Sequence, residues 1–225
     1  MRAHPLDCPA WFALKGPHAR LGRGGDLARR YDEAISPFAA AREASPEAVA
    51  ALGALTHDND EMALLERAPP APPSGVAQTT TAAGVQMVWT RFPGAAEIEH
   101  TPLGDADAAE MQALAELTRP GPFRAKTHTM GRFIGVRHAG RLIAMAGERM
   151  KLDDFVEVSG VCTHPDFRGR GLAGALMRAV GARIVAEGAT PFLHAYAANE
   201  GAIGLYRALG FEHRCDVTLA IWTRG

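Results

Sequence analysis

Several absences narrow the reading of this chain before any motif does. Its cysteines number only three, Cys8, Cys162 and Cys215, far apart and without a CxxC pair. That leaves no disulfide framework and no zinc knuckle, and it reads as free thiols in a reducing cytoplasm. There is no apolar run of about 18 residues, so no membrane span is expected. The first residues, Met1-Arg-Ala-His-Pro-Leu-Asp-Cys, place an acid and a proline where a secretory signal needs an apolar core. Charge of one sign is missing too: the formal net charge is −1, without the basic excess that nucleic-acid binding usually needs. No HxxxH or similar spacing points to a metal site.

What is present suits a globular protein. The chain has 225 residues, 47% of them apolar and 22% charged. That is enough to bury a core, and far from the composition of a disordered chain. The strongest punctuation is Ala68-Pro-Pro-Ala-Pro-Pro-Ser-Gly75, which blocks both helix and central strand. Before it, Ser45 and Pro46 open a helix running to Leu55. Met62–Leu65 and, beyond the prolines, Val85–Arg91 read as strands. Residues 1–95 therefore form a small α/β region, with residues 1–30 unassigned. Residues 96–225 form the second domain. There, Asp107 with Glu110 resembles a helix cap, strands follow at Phe133–Val136, Leu142–Ala146 and Phe155–Thr163, and a helix runs from Leu172 to Gly188. A strand at Phe192–Ala195, a helix capped by Asn199 and ended by Gly210, and a strand at Val217–Ile221 complete it. The fold class is α/β (α+β): a mixed, mostly antiparallel sheet flanked by helices.

The chemistry concentrates in Thr163-His-Pro-Asp-Phe-Arg-Gly-Arg-Gly-Leu-Ala-Gly174, where a strand ends, a glycine loop follows and a helix begins. Successive backbone N–H groups at such a helix start, with the helix dipole, form an anion site. Gly169-Arg-Gly171-Leu-Ala-Gly174 matches the dinucleotide pattern GxGxxG. However, four residues separate it from the strand, and the next strand, Phe192–Ala195, lacks the acid that would hold a ribose. The Walker pattern fails because no Gly-Lys-Ser/Thr follows. Arg168-x-x-Gly171-x-Ala173 fits a third pattern, Arg/Gln-x-x-Gly-x-Gly/Ala, preceded by a strand of small and β-branched residues.

Val161-Cys-Thr-His-Pro-Asp-Phe-Arg-Gly-Arg-Gly-Leu-Ala173 strongly resembles the coenzyme A motif of GNAT acetyltransferases. Asn199-Glu-Gly-Ala-Ile-Gly-Leu-Tyr-Arg-Ala-Leu-Gly-Phe211 resembles that family's second segment. The resemblance covers residues 97–225 and looks closest to the FR47-like, glycine-acyltransferase-like group. Residues 1–95 match no named family, and a degenerate GNAT half is one reading of them. The resemblance implies an N-acyltransferase moving an acyl group, acetyl first, from acetyl-CoA directly to an amine of a small molecule or amino acid, with no metal. Arg168, Gly169, Arg170, Gly171, Leu172, Ala173 and Gly174 would hold the pyrophosphate. Val161, Cys162 and Thr163 would pair with the pantetheine arm as an added strand does, helped by Asn199. Tyr206 would protonate the leaving thiolate. An amine of pKa about 10.4 must lose a proton, at roughly 4–5 kcal/mol at pH 7, so a base is sought. Glu157 is the first candidate and Glu148 the second. Cys162 reads as a small hydrophobe rather than a nucleophile. His128 and His194 are candidates for the acceptor site, and Arg178 and Arg183 for an exposed helix face. Arg119, Arg124 and Lys126 suggest a basic rim for an acceptor carboxylate. The N-terminal region would cover the acceptor site or make a homodimer contact. The alternative function is a module that holds acyl-CoA without transferring it.

Overall fold

The structure is a computed structural model and describes residues 4–58 and 60–224. Its elements in chain order are α1 (Pro9–Lys15), β1 (Gly22–Gly24), β2 (Ala28–Tyr31), β3 (Ala39–Ala41), α2 (Pro46–Gly53), β4 (Glu61–Glu66), β5 (Ala77–Trp89) and β6 (Thr101–Leu103). There follow α3 (Ala108–Thr118), β7 (Phe133–His138), β8 (Arg141–Lys151), β9 (Phe155–Thr163), α4 (Leu172–Ala186), β10 (Thr190–Tyr196), α5 (Glu200–Ala208) and β11 (Phe211–Thr223). From residue 108 onward the element order is the one that periodicity and caps predict, and the mixed α/β class holds. No helix among the described residues is long and apolar enough to cross a membrane.

Eight strands form one sheet in the order β4-β11-β5-β10-β9-β8-β7-β6, and a separate three-stranded sheet joins β1, β2 and β3. β4 and β5, from the first 95 residues, pair with β11 and β10, so the sheet runs across the boundary expected there. The reason is burial. β4 reads Glu-Met-Ala-Leu-Leu-Glu and buries five of its six residues, so both of its faces need cover. One face lies with the α2 and β3 side chains, the other in the α1 cluster around Leu14, Phe38 and Leu65. Ser45 caps α2 by accepting from the Ala48 N–H at 3.3 Å, as its sequence predicts.

Two local expectations are corrected. Asp107 does not cap α3 with its side chain. Its Oδ2 accepts from the Gly104 N–H at 2.9 Å and closes a preceding 3₁₀ turn, while Oδ1 takes Arg137. An Asp in such a turn has a nearer backbone donor than the helix offers. Arg178 and Arg183 are not a free solvated face. Arg178 donates to the carbonyls of Gly94 and Ala95, each at 2.8 Å, and Arg183 donates to Glu148 at 3.1 Å.

The sheet's central feature is a splay. β10 and β9 are its one parallel pair, joined from Thr190/Phe155 only to Phe192/Glu157. β9 continues to Thr163, still paired with β8 on its other edge. Beyond Glu157, no strand among the described residues pairs with the β9 edge facing β10. Gly160 sits in that stretch at φ +61, a left-handed value that bends β9, with the Phe133 ring directly where a Cβ would stand.

Candidate active site

The splay opens a V-shaped gap, and the expected coenzyme-binding residues line it. A cleft of about 580 Å³ is bounded by Val161, Cys162 and Thr163 on β9, by Arg168 to Gly174 in the loop and first turn of α4, and by Asn199 and Tyr206 at α5. Its strand side is the unpaired edge of β9. The Thr163 hydroxyl there is buried with no hydrogen-bond partner among the described residues. A buried polar group is seldom left so, which marks a place for a ligand donor or acceptor. At the helix side, Gly169 and Gly171 both stand at φ +75 with open space in front of them. Gly171 caps α4 without a side-chain hydrogen bond. The first N–H groups of α4 are thus aimed into the cleft with no capping side chain, where an anion is stabilised by them and by the helix dipole. These features fit the pyrophosphate and pantetheine of a coenzyme A.

Asn199 has two uses. Its Oδ1 accepts from the Ala202 N–H at 3.2 Å and caps α5, which leaves its amide N–H groups toward the cavities. Tyr206 lies one face of α5 onward, partly buried, and burial raises its pKa above the ordinary phenol value. Its hydroxyl has no partner among the described residues. Cys162 is buried and its thiol is pushed up to about 11 by burial, a shift its hydrogen bond with Thr118 only partly offsets. It stays a thiol at neutral pH and is inert as a nucleophile.

A second, smaller cavity of about 80 Å³ adjoins the cleft. Arg119, Pro120, Asn199 and Tyr206 belong to both walls, so the two spaces meet there. The remaining walls of the small cavity include Phe38, Leu65, Leu219, Arg149, His194 and Tyr196. Arg119 ends α3 in the left-handed region at φ 53, and its guanidinium is unpartnered among the described residues.

Glu157, the first candidate for the base, is held in a buried ion-pair cluster. Glu157 sits at the apex of the V, fully buried. The Arg149 guanidinium grips both its oxygens, at 2.6 and 2.8 Å, and His194 Nδ1 lies 2.7 Å from Oε1. Burial by itself would raise its pKa, but the Arg149 charge and hydrogen bonds, joined by those of His194, hold it well below the usual carboxylate range. Glu157 lines neither cavity, while its partners Arg149 and His194 both line the smaller one described above. A register irregularity in the β8–β9 pair between Glu148 and Lys151 sets Arg149 and Met150 against Glu157. Glu148, the second candidate, is buried among Arg132 and Arg183 and lines neither cavity. His194 Nε2 faces the Gln86 amide at 2.9 Å, and that amide also donates to the Leu6 carbonyl. The nitrogen nearest a lone-pair role is therefore occupied, with the proton assigned to Nδ1 from this network. His128 pairs with Asp105 at 2.7 Å, away from both cavities. Of the basic rim, only Arg119 lines them. Arg124 donates to the Glu33 carbonyl at 3.0 Å. Sequence reasoning passed over Arg149, whose signal was adjacent charges, Glu148-Arg149, within an otherwise apolar buried strand. Charges so placed need partners.

Parallel strands splayed above a glycine-rich helix start, with a phenol at the meeting point of two cavities, are the arrangement that the sequence resemblance implies. The comparisons with known proteins agree. Residues 133–221 match the family model of FR47-like proteins. A solved structure from Novosphingobium aromaticivorans, described as a GNAT-family acetyltransferase, is 44% identical over 99% of both chains, with a TM-score of 0.92. A GCN5-related N-acetyltransferase from Kribbella flavida (20% identical, 96% of this chain and 94% of that one, TM-score 0.61) shares the fold. So does a GCN5-related N-acetyltransferase-like protein from Streptococcus suis (13%, 95% and 92%, TM-score 0.55). This chain belongs to the GNAT acetyltransferases.

Proposed function

We propose that the protein transfers the acyl group of acetyl-CoA directly to the amine of a small molecule or amino acid. The observation that carries this is the meeting of the two cavities at Tyr206 and Asn199, one fitted to a coenzyme and the other of acceptor size. Acetyl-CoA supplies a thioester that an amine attacks without a covalent enzyme intermediate. Backbone N–H groups of Arg168 to Gly174 hold the pyrophosphate, and Arg168 and Arg170 add charge beside it. The free edge of Val161, Cys162 and Thr163 pairs with the amides of the pantetheine arm, and an N–H of that edge stabilises the developing oxyanion. The Tyr206 hydroxyl gives its proton to the departing thiolate. Its raised pKa keeps it protonated at neutral pH, as that role requires. Glu157 holds Arg149 and His194 in place and does not itself receive a proton. Arg119 makes the acceptor cavity electropositive, since Arg149 is neutralised by Glu157, and that favours the neutral over the ammonium form of a bound amine. Solvent then receives the amine proton. Arg119 is also the group to which an acceptor carboxylate would bind.

The test is calorimetric titration of acetyl-CoA into the protein and into Gly171→Glu, with NAD as comparison. Wild type should bind acetyl-CoA and not NAD. The variant, shown by its thermal melt to be folded, should bind about 100-fold more weakly, since a carboxylate then stands where the phosphates belong. Undiminished binding by the variant would remove the anion site from this reading.

A further inference from the structure

The acceptor cavity is built from two parts of the chain. Asn199, Tyr206, His194 and Leu219 come from the region beyond residue 96, but Phe38 and Leu65 come from the N-terminal region, outside residues 133–221 that match the family model. Phe38 follows the Pro37 turn. Its backbone bridges to Ala63 on β4, and its ring carries the Arg149 guanidinium 4.8 Å from the centroid. It is 1% exposed and packs with Leu65, Phe192 and Leu219 in one cluster. The N-terminal region is also tied to the loop after α3. Lys126 N–H donates to the Ala34 carbonyl at 2.8 Å, and the Thr127 hydroxyl to the Ile35 carbonyl at 2.7 Å. Phe38 is therefore a fixed wall, not a mobile cover.

The lining holds no carboxylate. Phe38, Leu65, Pro120 and Leu219 give it an apolar wall, His194, Tyr196, Asn199 and Tyr206 a polar one, and its two charged residues, Arg119 and Arg149, are both cations. Glu157, the nearest carboxylate partner, lies behind Arg149 and is consumed by it. An extra positive charge on the acceptor would meet the Arg119 guanidinium and an Arg149 already neutralised by Glu157, would find no free carboxylate, and would lose its hydration without compensation. An apolar group would bury against Phe38 and Leu219 instead. The volume of about 80 Å³ has room for roughly five to eight water-sized groups, the bulk of a branched four- or five-carbon body.

We infer that Phe38 and Leu65 of the N-terminal region, with Leu219, select acceptors whose amine is carried on a small apolar body, and that this wall rejects acceptors bearing a second cation. The inference rests on the assignment of this cavity to the acceptor. The experiment is a set of four titrations into protein loaded with coenzyme A: L-leucine against L-arginine, and isopentylamine against agmatine. Within each pair only the body changes, apolar to cationic. Across the pairs only the carboxylate does. The apolar member of each pair should bind at least 10-fold more tightly than its partner. The Phe38→Leu and Leu219→Ala proteins should both bring that ratio toward unity while leaving the affinity for coenzyme A unchanged. Leu219 is only partly buried, so its variant serves if Phe38→Leu does not fold. Equal or tighter binding of arginine and agmatine, or no binding of either apolar compound, would overturn the inference. Failure of coenzyme A itself to bind would instead overturn the reading on which it rests.

Discussion

At Tyr206 the important fact is a phenol that is partly buried yet has no hydrogen-bond partner among the described residues. Most buried hydroxyls find a partner, and one left open at the meeting of two cavities is available to a reacting group. Tyr206→Phe removes one oxygen and keeps the ring against Phe211, 6.1 Å away. A fall in kcat of about 100-fold is expected, with the acetyl-CoA affinity unchanged. Steady-state kinetics and calorimetry on the same sample check it, and an unchanged kcat would remove Tyr206 from the proton transfer. Tyr206 was legible in the sequence because a motif singles it out at a fixed distance from Asn199. Glu157 was legible only as a carboxylate near the right strand. Its partner Arg149 lies on another strand, across a register irregularity, and no spacing rule connects the two.

At the scale of the element, β9 and β10 part immediately after Glu157. The Arg149–Glu157–His194 cluster fills the apex where the pairing ends. Removing one partner of a buried ion pair typically costs about 3–5 kcal/mol, because the other charge is stranded. Glu157→Gln should therefore lower the urea-unfolding free energy by about 3 kcal/mol, while the pH dependence of kcat keeps its wild-type shape. A stable variant that loses the acid-side limb of that profile would restore Glu157 as the base. Strands β7 to β11 and helices α3 to α5 were readable because their apolar periods are long and because Asn199, Gly188 and Gly210 mark helix ends. β1, β2 and β3 were not. They are three or four residues each, rich in Ala and Arg, and β3 is Ala39-Ala-Ala41, which shows neither period. Tertiary packing alone makes them strands.

At the scale of the whole molecule, buried titratable groups tie the N-terminal region to the rest. His18 is buried against the Tyr31 hydroxyl, 2.9 Å away, and burial lowers its pKa from 6.5 to about 4. Between those values the unfolded chain binds a proton that the folded chain refuses, so stability falls as pH falls from 6.5 to 4. The whole effect amounts to about 3 kcal/mol. Urea unfolding at pH 7, 5.5 and 4.5 should show the loss, and His18→Gln should flatten it. A variant as pH-sensitive as the wild type would place the effect elsewhere. Carboxylates such as Glu157 begin to contribute below about pH 5, so the interval from pH 7 to 5.5 isolates the histidine and the point at pH 4.5 includes both.

The insertion of β5 between β10 and β11 also determines when the protein can fold. Thirteen residues of β5 are among the earlier ones to leave the ribosome, yet both neighbouring strands lie beyond residue 189. Until those are synthesised, β5 has two open edges and no partner on either side. Pairings of such long sequence separation close slowly, and an unpaired strand invites contact with other chains in the meantime. The outer half of β5, Ala77-Gln-Thr-Thr-Thr-Ala-Ala83, is largely polar and stays exposed even in the finished fold. During synthesis that same polarity makes the waiting strand a poor seed for aggregation.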